Sequence, residues 1–408
     1  MSESSGATRR GDALRERAET VSRELTSALL ALHVEALPQG AGPKRAAVHI
    51  DMPVPMASRI LRAVGERTPL AALQKLPGPD PLRRWIEAAA KKGARRETRR
   101  AAVEAVESFE RLISEEAGDR AALDARLLRW MPEARRTLEL RRRQAVFRGL
   151  SELEGRWCEL ELTTILLHPS ADGGRVDLCC VQARTGMRAL RPGLATKFTT
   201  ERITPEEHVR DLSSVDGIDM EGAASAVRLD RFTQGDPANV EIVRDGDRVQ
   251  YLLGMPDSSQ GSIADFVIAE LNRGEFERTD EPLEKGSFFS HVIQNACRFG
   301  SIDVLMHEDL VPEPEPLLFL YRNHGTTAAQ PGDPLREVDR LEPLDEIERR
   351  TSALRDLRLG PLPRYGEMIG YVATRLGWDL SNATLFRAQL EYPVPGTQIS
   401  IGFPGSRF

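Results

Sequence analysis

The sequence predicts an α+β multidomain protein: an all-helical N-terminal domain followed by a mainly β or α+β C-terminal region. Three observations carry this. Apolar residues recur at helical spacing from residue 12 to about 152. From Gly155 onward, short stretches alternate in polarity and are rich in β-favouring residues. Charge divides along with them. Residues 1–150 hold 29 Lys and Arg against 20 Asp and Glu, a net +9, whereas the remainder holds 27 against 42, a net −15. A basic half joined to an acidic one fits a polyanion partner for the first part only, although solvated helix faces carry such charge too.

The chain has 408 residues, 40% hydrophobic and 29% charged, which excludes global disorder. The opening "MSESSGATRRGD" lacks the apolar core of a signal peptide. The most apolar helix-like run, "LTSALLALHVEAL", is too short and too charged to span a bilayer, so a cytoplasmic protein without a membrane partner is expected. Cys158, Cys179, Cys180 and Cys297 show neither metal-ligand nor disulfide-framework spacing and are expected as small apolar fillers. Cys179 and Cys180 are adjacent in a predicted strand, so their side chains point to opposite faces.

Residues 1–11 read as a disordered tail. From 12 to 37, Leu14, Ala18, Val21, Leu25, Ala28 and Leu32 make one continuous helical stripe, expected to bury against a bundle or a second copy of the chain in a homo-oligomer. "LPQGAGP" (37–43) ends that helix. In "LPGPDPLRRWIEAAAKKG", Asp80 is the expected cap, Pro81 the first helical residue and Gly93 the end. The run "RRETRR" (95–100) leads into a helix with Val103, Val106, Phe109 and Ile113 on one side, and Pro132 should end or kink the next at Met131. The helical domain spans 12–152.

Strands are expected in "WCELELTTILLH", "RVDLCCVQA", "NVEIVRDGDRVQYLLG", "SIDVLMH" and "PLLFLYRN", with a hairpin turn at Asp245–Gly246. A β-rich domain thus covers 153–325, and "GTTAAQPGDP" (325–334) reads as a linker. Residues 335–408 hold a charged helical stretch, a helix "YGEMIGYVATRLGW" and a final hairpin "FRAQLEYPVPGTQISIGF", either separate or part of the preceding domain.

One stretch, "AAVHIDMPVPMASRILRAV" (46–64), places a short apolar helix, a break and a second apolar helix within nineteen residues. About residues 43–64 it resembles a helix-turn-helix of the repressor type. Ala47 is the small residue that lets the helices approach, Ile50 and Met52 flank the turn, and Ala57 and Ile60 anchor the second helix. Asp51 holds the position usually given to glycine, and aspartate tolerates a left-handed backbone better than most residues. The resemblance implies that the second helix enters the major groove of double-stranded DNA. Pro53, Val54, Pro55, Ser58, Arg59 and Arg62 then point outward, Ser58, Arg59 and Arg62 being the base or phosphate readers and Lys44 and Arg45 the phosphate contacts. The apolar Pro-Val-Pro equally suits a protein-facing surface.

Enzymatic constellations are weaker. His168, Ser170 and Asp172 fall within five residues, closer than a converging triad would arise, and read as a turn. His307, Glu308 and Asp309 lack a distant partner for a metal, and nothing activates Cys297 near His291 as a nucleophile. No phosphate loop or dinucleotide fingerprint appears, and no cofactor, metal or catalytic residue is assigned. The reading is a DNA-binding transcriptional regulator with an acidic C-terminal sensing or oligomerisation region whose ligand the sequence does not name. The alternative is a non-enzymatic assembly protein in which the helix-turn-helix-like segment is structural.

Overall fold

The computed structural model describes residues 2–191, 193–201, 212–217, 227–234, 240–245, 248–254, 263–323, 328–351 and 356–408. The protein is α+β, with an N-terminal helical unit of residues 1–139 and a second unit of residues 140–408. Among the described residues, no helix is long and apolar enough to cross a membrane.

The helical unit comprises α1 (Ser2–Ala36), α2 (Pro43–His49), α3 (Val54–Val64), α4 (Pro69–Lys75), α5 (Pro79–Lys91), α6 (Arg96–Glu116) and α7 (Arg120–Leu127). α1 packs against α3, α4, α5 and α6. Its stripe of Leu14, Ala18, Val21, Leu25 and Leu32 is buried there, joined by Leu29, while Ala28 lies at the margin. The stripe is therefore covered within this unit. The backbone is helical from Ser2, so the expected tail extends α1. Once the buried turns are formed, each added residue needs only propagation of the helix. Ser22, fully buried, donates to the carbonyl of Pro69 at 2.5 Å and ties α1 to the start of α4. Glu35, near the end of α1, accepts from the backbone N–H of Arg95 at 2.9 Å and from the Thr98 hydroxyl at 2.8 Å, satisfying the N-terminus of α6. α5 begins two residues earlier than the capping pattern implied: Gly78 is the cap, Pro79 takes the first helical position and Asp80 falls in the first turn.

Chain continuity then passes through α8 (Pro132–Glu154), which starts at the proline expected to interrupt helix. The division between units falls inside α8 rather than at residue 152. Phe147 explains why: its ring packs edge-on at 5.6 Å from Trp157 and 5.3 Å from Tyr392, both in the second unit. Four arginines of α8 (Arg141, Arg142, Arg143 and Arg148) follow it there, so the first unit holds 25 Lys and Arg against 20 Asp and Glu, a net +5 rather than +9.

Fourteen strands are described in the second unit: β1 (Arg156–Pro169), β2 (Arg175–Ala189), β3 (Ala195–Glu201), β4 (Leu212–Ser213), β5 (Val240–Asp245), β6 (Arg248–Gly254), β7 (Ile263–Glu277), β8 (Ser287–Val292), β9 (Cys297–Met306), β10 (Leu317–Arg322), β11 (Arg340–Leu341), β12 (Glu348–Thr351), β13 (Thr384–Glu391) and β14 (Thr397–Phe403). They form a seven-stranded sheet in the order β12-β13-β9-β1-β2-β7-β4, a four-stranded sheet β11-β10-β14-β8 and a three-stranded sheet β3-β6-β5. β1 and β9 run parallel; their neighbours are antiparallel. The helix α9 (Tyr365–Leu376), stopped by Gly377 at φ 69°, covers one face of the large sheet with Met368, Ile369 and Val372. The other face packs on the two smaller sheets through residues such as Ile165, Phe198, Phe289 and Ile399. Cys179 joins the α9 side and Cys180 the opposite side, as strand alternation requires.

The C-terminal 74 residues are integral to this unit. The expected charged helix is replaced by a 3₁₀ turn and the short strands β11 and β12. The segment expected as a linker is anchored where it is described: Gln398 clamps both the N–H and the carbonyl of Ala329, at 2.7 and 2.8 Å, and Ala329 is buried. The final two strands are not a hairpin, because β13 pairs with β9 and β12 whereas β14 pairs with β8 and β10. Between them, Pro393 and Pro395 have no N–H to give a ladder, Tyr392 donates to Arg298 and Gly396 to Ile293. The chain therefore steps from one sheet to another. Arg387 on β13 and Asp303 on β9, directly opposite, form a buried bidentate pair at 2.9 and 2.6 Å beneath the Tyr365 ring.

Residues 1–139 expressed alone are expected to give a strongly helical circular-dichroism spectrum and a cooperative thermal transition. A fragment without a cooperative transition would mean that its core is completed by the second unit.

Candidate functional site

Two regions hold side chains whose placement asks for more than folding. The first is the α2–α3 corner. Ala46, Ala47, Ile50, Ala57, Ile60 and Ala63 all enter one hydrophobic cluster, with Met52 packed against it. Between the helices, Asp51 adopts φ 55°, the left-handed conformation that closes the turn, and the Met52 N–H donates to the Ala47 carbonyl at 2.9 Å. The two helices, Pro43–His49 and Val54–Val64, thus meet through small and apolar side chains across a turn at Asp51.

The outward residues divide. Lys44, Arg45 and Arg62 are exposed, as are Pro53, Val54 and Pro55, while Ser58 is half-buried. Arg59 is directed elsewhere. Its Nε donates to the Lys75 carbonyl and its Nη2 to the Leu76 carbonyl, both at 3.3 Å, at the C-terminus of α4. Arg120 meets the same helix end, with Nη2 2.7 Å from the Leu73 carbonyl, its guanidinium 4.9 Å over the Phe109 ring and 3.0 Å from Asp124. Two cations thus satisfy carbonyls that a helix end leaves without partners and complement its negative dipole. Burial pushes the Asp124 carboxyl up and the Arg120 guanidinium down, each against the opposing attraction of the other.

The second region lies between the large sheet and the smaller ones, and no sequence motif marks it. The positions of β1 and β2 that face the small sheets change from apolar to polar toward one end. Ile165, Leu167, Leu178 and Cys180 give way to Glu161, Thr163, Gln182 and Arg184. Glu161 stands directly opposite Arg184, and Thr163 opposite Gln182. Glu161 and Arg184 are both 0% exposed, with Nη2 of Arg184 3.0 Å from Oε1 of Glu161. The Glu161 carboxylate also accepts from the N–H of Gln294 (2.8 Å), the N–H of Asn295 (3.0 Å) and the Asn295 side-chain amide (3.0 Å).

Arg184 is less well served. Its Nη1 reaches the Ala183 carbonyl at 3.2 Å, and its guanidinium lies 4.5 Å over the Phe198 ring. Nε has no hydrogen-bond partner, and Nη2 meets Glu161 at ion-pair distance but off the line of a hydrogen bond. His291, on β8, bonds Thr163 Oγ1 through Nδ1 at 2.8 Å, while Nε2, 3.6 Å from Glu161, has no partner. Burial and then the neighbouring Arg184 charge push the His291 imidazolium well down, so the ring is neutral. These side chains border a cavity of about 790 Å³, within the size range of small-molecule sites. Its lining also includes Phe289, Phe319 and Phe403 of the four-stranded sheet and Phe276 of β7, together with charged residues such as Lys197, Glu270 and Glu275.

The remaining sequence candidates are structural. Ser170 and Asp172 hold the β1–β2 turn: Ser170 Oγ donates to Asp172 at 2.7 Å, and Asp172 accepts from the Gly174 N–H at 3.0 Å. His168 stacks on Trp378 at 5.2 Å. His307 accepts from the Asp309 N–H at 3.2 Å and caps the 3₁₀ turn Glu308–Leu310. Burial, and then the hydrogen bond with Cys158, push the Cys297 thiol well up, the reverse of nucleophile activation. All four cysteines are free and buried. Among the described residues, Cys158, Glu161 and Cys297 bring three potential ligand atoms within 4.8 Å of one another. They do not suit a cation, because the carboxylate is already engaged by three donors and Arg184 adds a positive charge beside it.

No protein-family model matches the chain, and no curated protein matches it. Among solved structures, one described as a putative protease from Parabacteroides distasonis ATCC 8503 is similar at 8% identity, covering 62% of this chain and 41% of that one, with a TM-score of 0.24. The chain thus spans less than half the length of that structure. A likeness at this level assigns neither fold nor activity.

The neutral His291 has a consequence for stability. Its proton affinity is depressed in the folded protein and ordinary, near pH 6.5, in the unfolded chain, so the unfolded state binds the proton first on acidification. The stabilisation it confers is present above about pH 6.5 and is lost as pH falls below that value. Between pH 6 and 5, denaturant unfolding of the parent should lose more stability with falling pH than that of His291→Gln. Parallel pH profiles would show that His291 does not carry this linkage.

Proposed function

We propose that the protein is a DNA-binding regulator, with α3 presented to the major groove and the second unit serving as its sensing part. The observation that carries this reading is the turn between α2 and α3. An aspartate held at φ 55° costs backbone strain, and here it supports two short helices joined through Ala47, Ala57 and Ile60. Lys44, Arg45 and Arg62, exposed beside that turn, supply cations for phosphates or base edges. Arg59, whose guanidinium bonds the end of α4, belongs to the support of α3, and Ser58 sits at its half-buried margin.

A second reading follows from Val48, 82% exposed, and Val54, 41% exposed, on the same corner as Pro53 and Pro55. Those residues suit an assembly contact with another protein chain.

Fluorescence anisotropy with a labelled duplex, at about 50 and 200 mM salt, separates the two. The DNA reading expects binding at low salt with a steep salt slope. The triple variant Lys44→Ala, Arg45→Ala and Arg62→Ala should fold normally, since exposed substitutions cost within about 0.5 kcal/mol each. Its salt slope should be shallower by about 0.9 for every phosphate contact removed. A parent that binds no duplex at low salt, or a folded triple variant with an unchanged slope, overturns the DNA reading and favours the assembly one.

A further inference from the structure

We infer that the cavity between the large sheet and the smaller sheets binds an amphipathic carboxylate, its carboxylate on Arg184 and its apolar body against the phenylalanines of the lining. This goes beyond the DNA-binding reading and does not depend on it, since every residue involved lies in the second unit.

The argument begins with cost. A guanidinium that is 0% exposed has given up its hydration, and such groups are normally paired through good hydrogen bonds. Arg184 makes one, to its neighbour's carbonyl, and leaves Nε and Nη2 without hydrogen-bond partners at the border of an internal space. Glu161 does not close that deficit. Two backbone N–H groups and an amide N–H already occupy its oxygens, so its position is set by residues 294 and 295 rather than by the arginine. Nε and Nη2, both without hydrogen-bond partners, form a planar donor pair that matches the two oxygens of a carboxylate.

The apolar part of the lining addresses the rest of the ligand. Phe289, Phe319 and Phe403 come from the four-stranded sheet, and Phe276, Leu178 and Ile165 carry the apolar surface along the large sheet. An inorganic anion or a sugar would leave that surface unused. A hydrocarbon without a charged head would leave Nε and Nη2 of Arg184 without hydrogen-bond partners. A molecule with both parts meets the arginine and the apolar lining together, and about 790 Å³ is ample for a medium-chain body.

The test is isothermal titration calorimetry on the full chain with decanoate, and with 1-decanol and decylamine as probes of the same chain length bearing neutral and cationic heads. Decanoate should bind with a stoichiometry near one and at least about tenfold more tightly than either comparator, and should raise the melting temperature in proportion to its concentration. Arg184→Met should lose most of the decanoate affinity and leave decanol binding unchanged. Should Arg184→Met fail to fold, the comparison of the three head groups on the parent decides. Equal affinity for decanoate and decanol, no binding of decanoate, or a folded Arg184→Met that binds decanoate as the parent does would each overturn the inference. None of these outcomes bears on whether the helical unit binds DNA.

Discussion

The Glu161 carboxylate ties together several segments of the second unit. It sits in the middle of β1, faces Arg184 across the β1–β2 ladder, and accepts from the backbone of Gln294 and Asn295, residues 293–296 being the connection between β8 and β9. Because β8 belongs to the four-stranded sheet and β9 to the seven-stranded one, that connection is where the chain crosses between layers. A carboxylate holding two consecutive N–H groups fixes where the crossing occurs. From that point follow the parallel pairing of β9 beside β1 and the position of His291 over Thr163. Burying such a charge is expensive unless its lone pairs are filled, and here they are. The imbalance is on the arginine side, which is why the cavity reads as a place for a ligand rather than as a packing defect.

The helical unit depends on a comparable arrangement at smaller scale. α4 is seven residues long and could not hold its shape through propensity. Its last carbonyls receive Arg59 from α3 and Arg120 from α7, so a helix end that would otherwise expose unpaired acceptors becomes the junction of three helices. The cost is to the freedom of Arg59. A residue that keeps two backbone carbonyls satisfied is not available to read bases, and any nucleic-acid contact at this corner falls to Lys44, Arg45 and Arg62.

Much of this was legible, and the failures have definite causes. The period of the apolar residues located α1, α3, α6 and α9, and the proline at 132 marked the start of α8. Asp51 was identified as the residue taking a left-handed turn because few other side chains tolerate it. Alternation also set Cys179 and Cys180 on opposite faces. The pairing of Glu161 with Arg184 is given by the β1–β2 ladder. What alternation does not carry is whether a polar face is wet. The cover over Glu161 includes His291 of β8 and the following residues 294 and 295, supplied from more than a hundred residues later, so the ionic row resembles an ordinary solvent-facing pattern until that segment is placed. The same non-locality hid the fate of the last two strands. Their sequences are hairpin-like, but the prolines between them and the hydrogen bonds to Arg298 and Ile293 send the chain into a different sheet.

The central claim is that Glu161 is the structural member of the buried pair and Arg184 the member left over for a partner. Chemical denaturation of Glu161→Gln and Arg184→Met, each compared with the parent without added ligand, tests it most directly. Glu161→Gln turns an amide N–H toward donors and leaves a buried guanidinium without its countercharge, so it should cost about 3–5 kcal/mol. Arg184→Met keeps three donors on the carboxylate and removes two unpartnered nitrogens, so it should cost less than half as much. Equal losses, or a larger loss for Arg184→Met, would show that the arginine is a structural strut and would contradict the account.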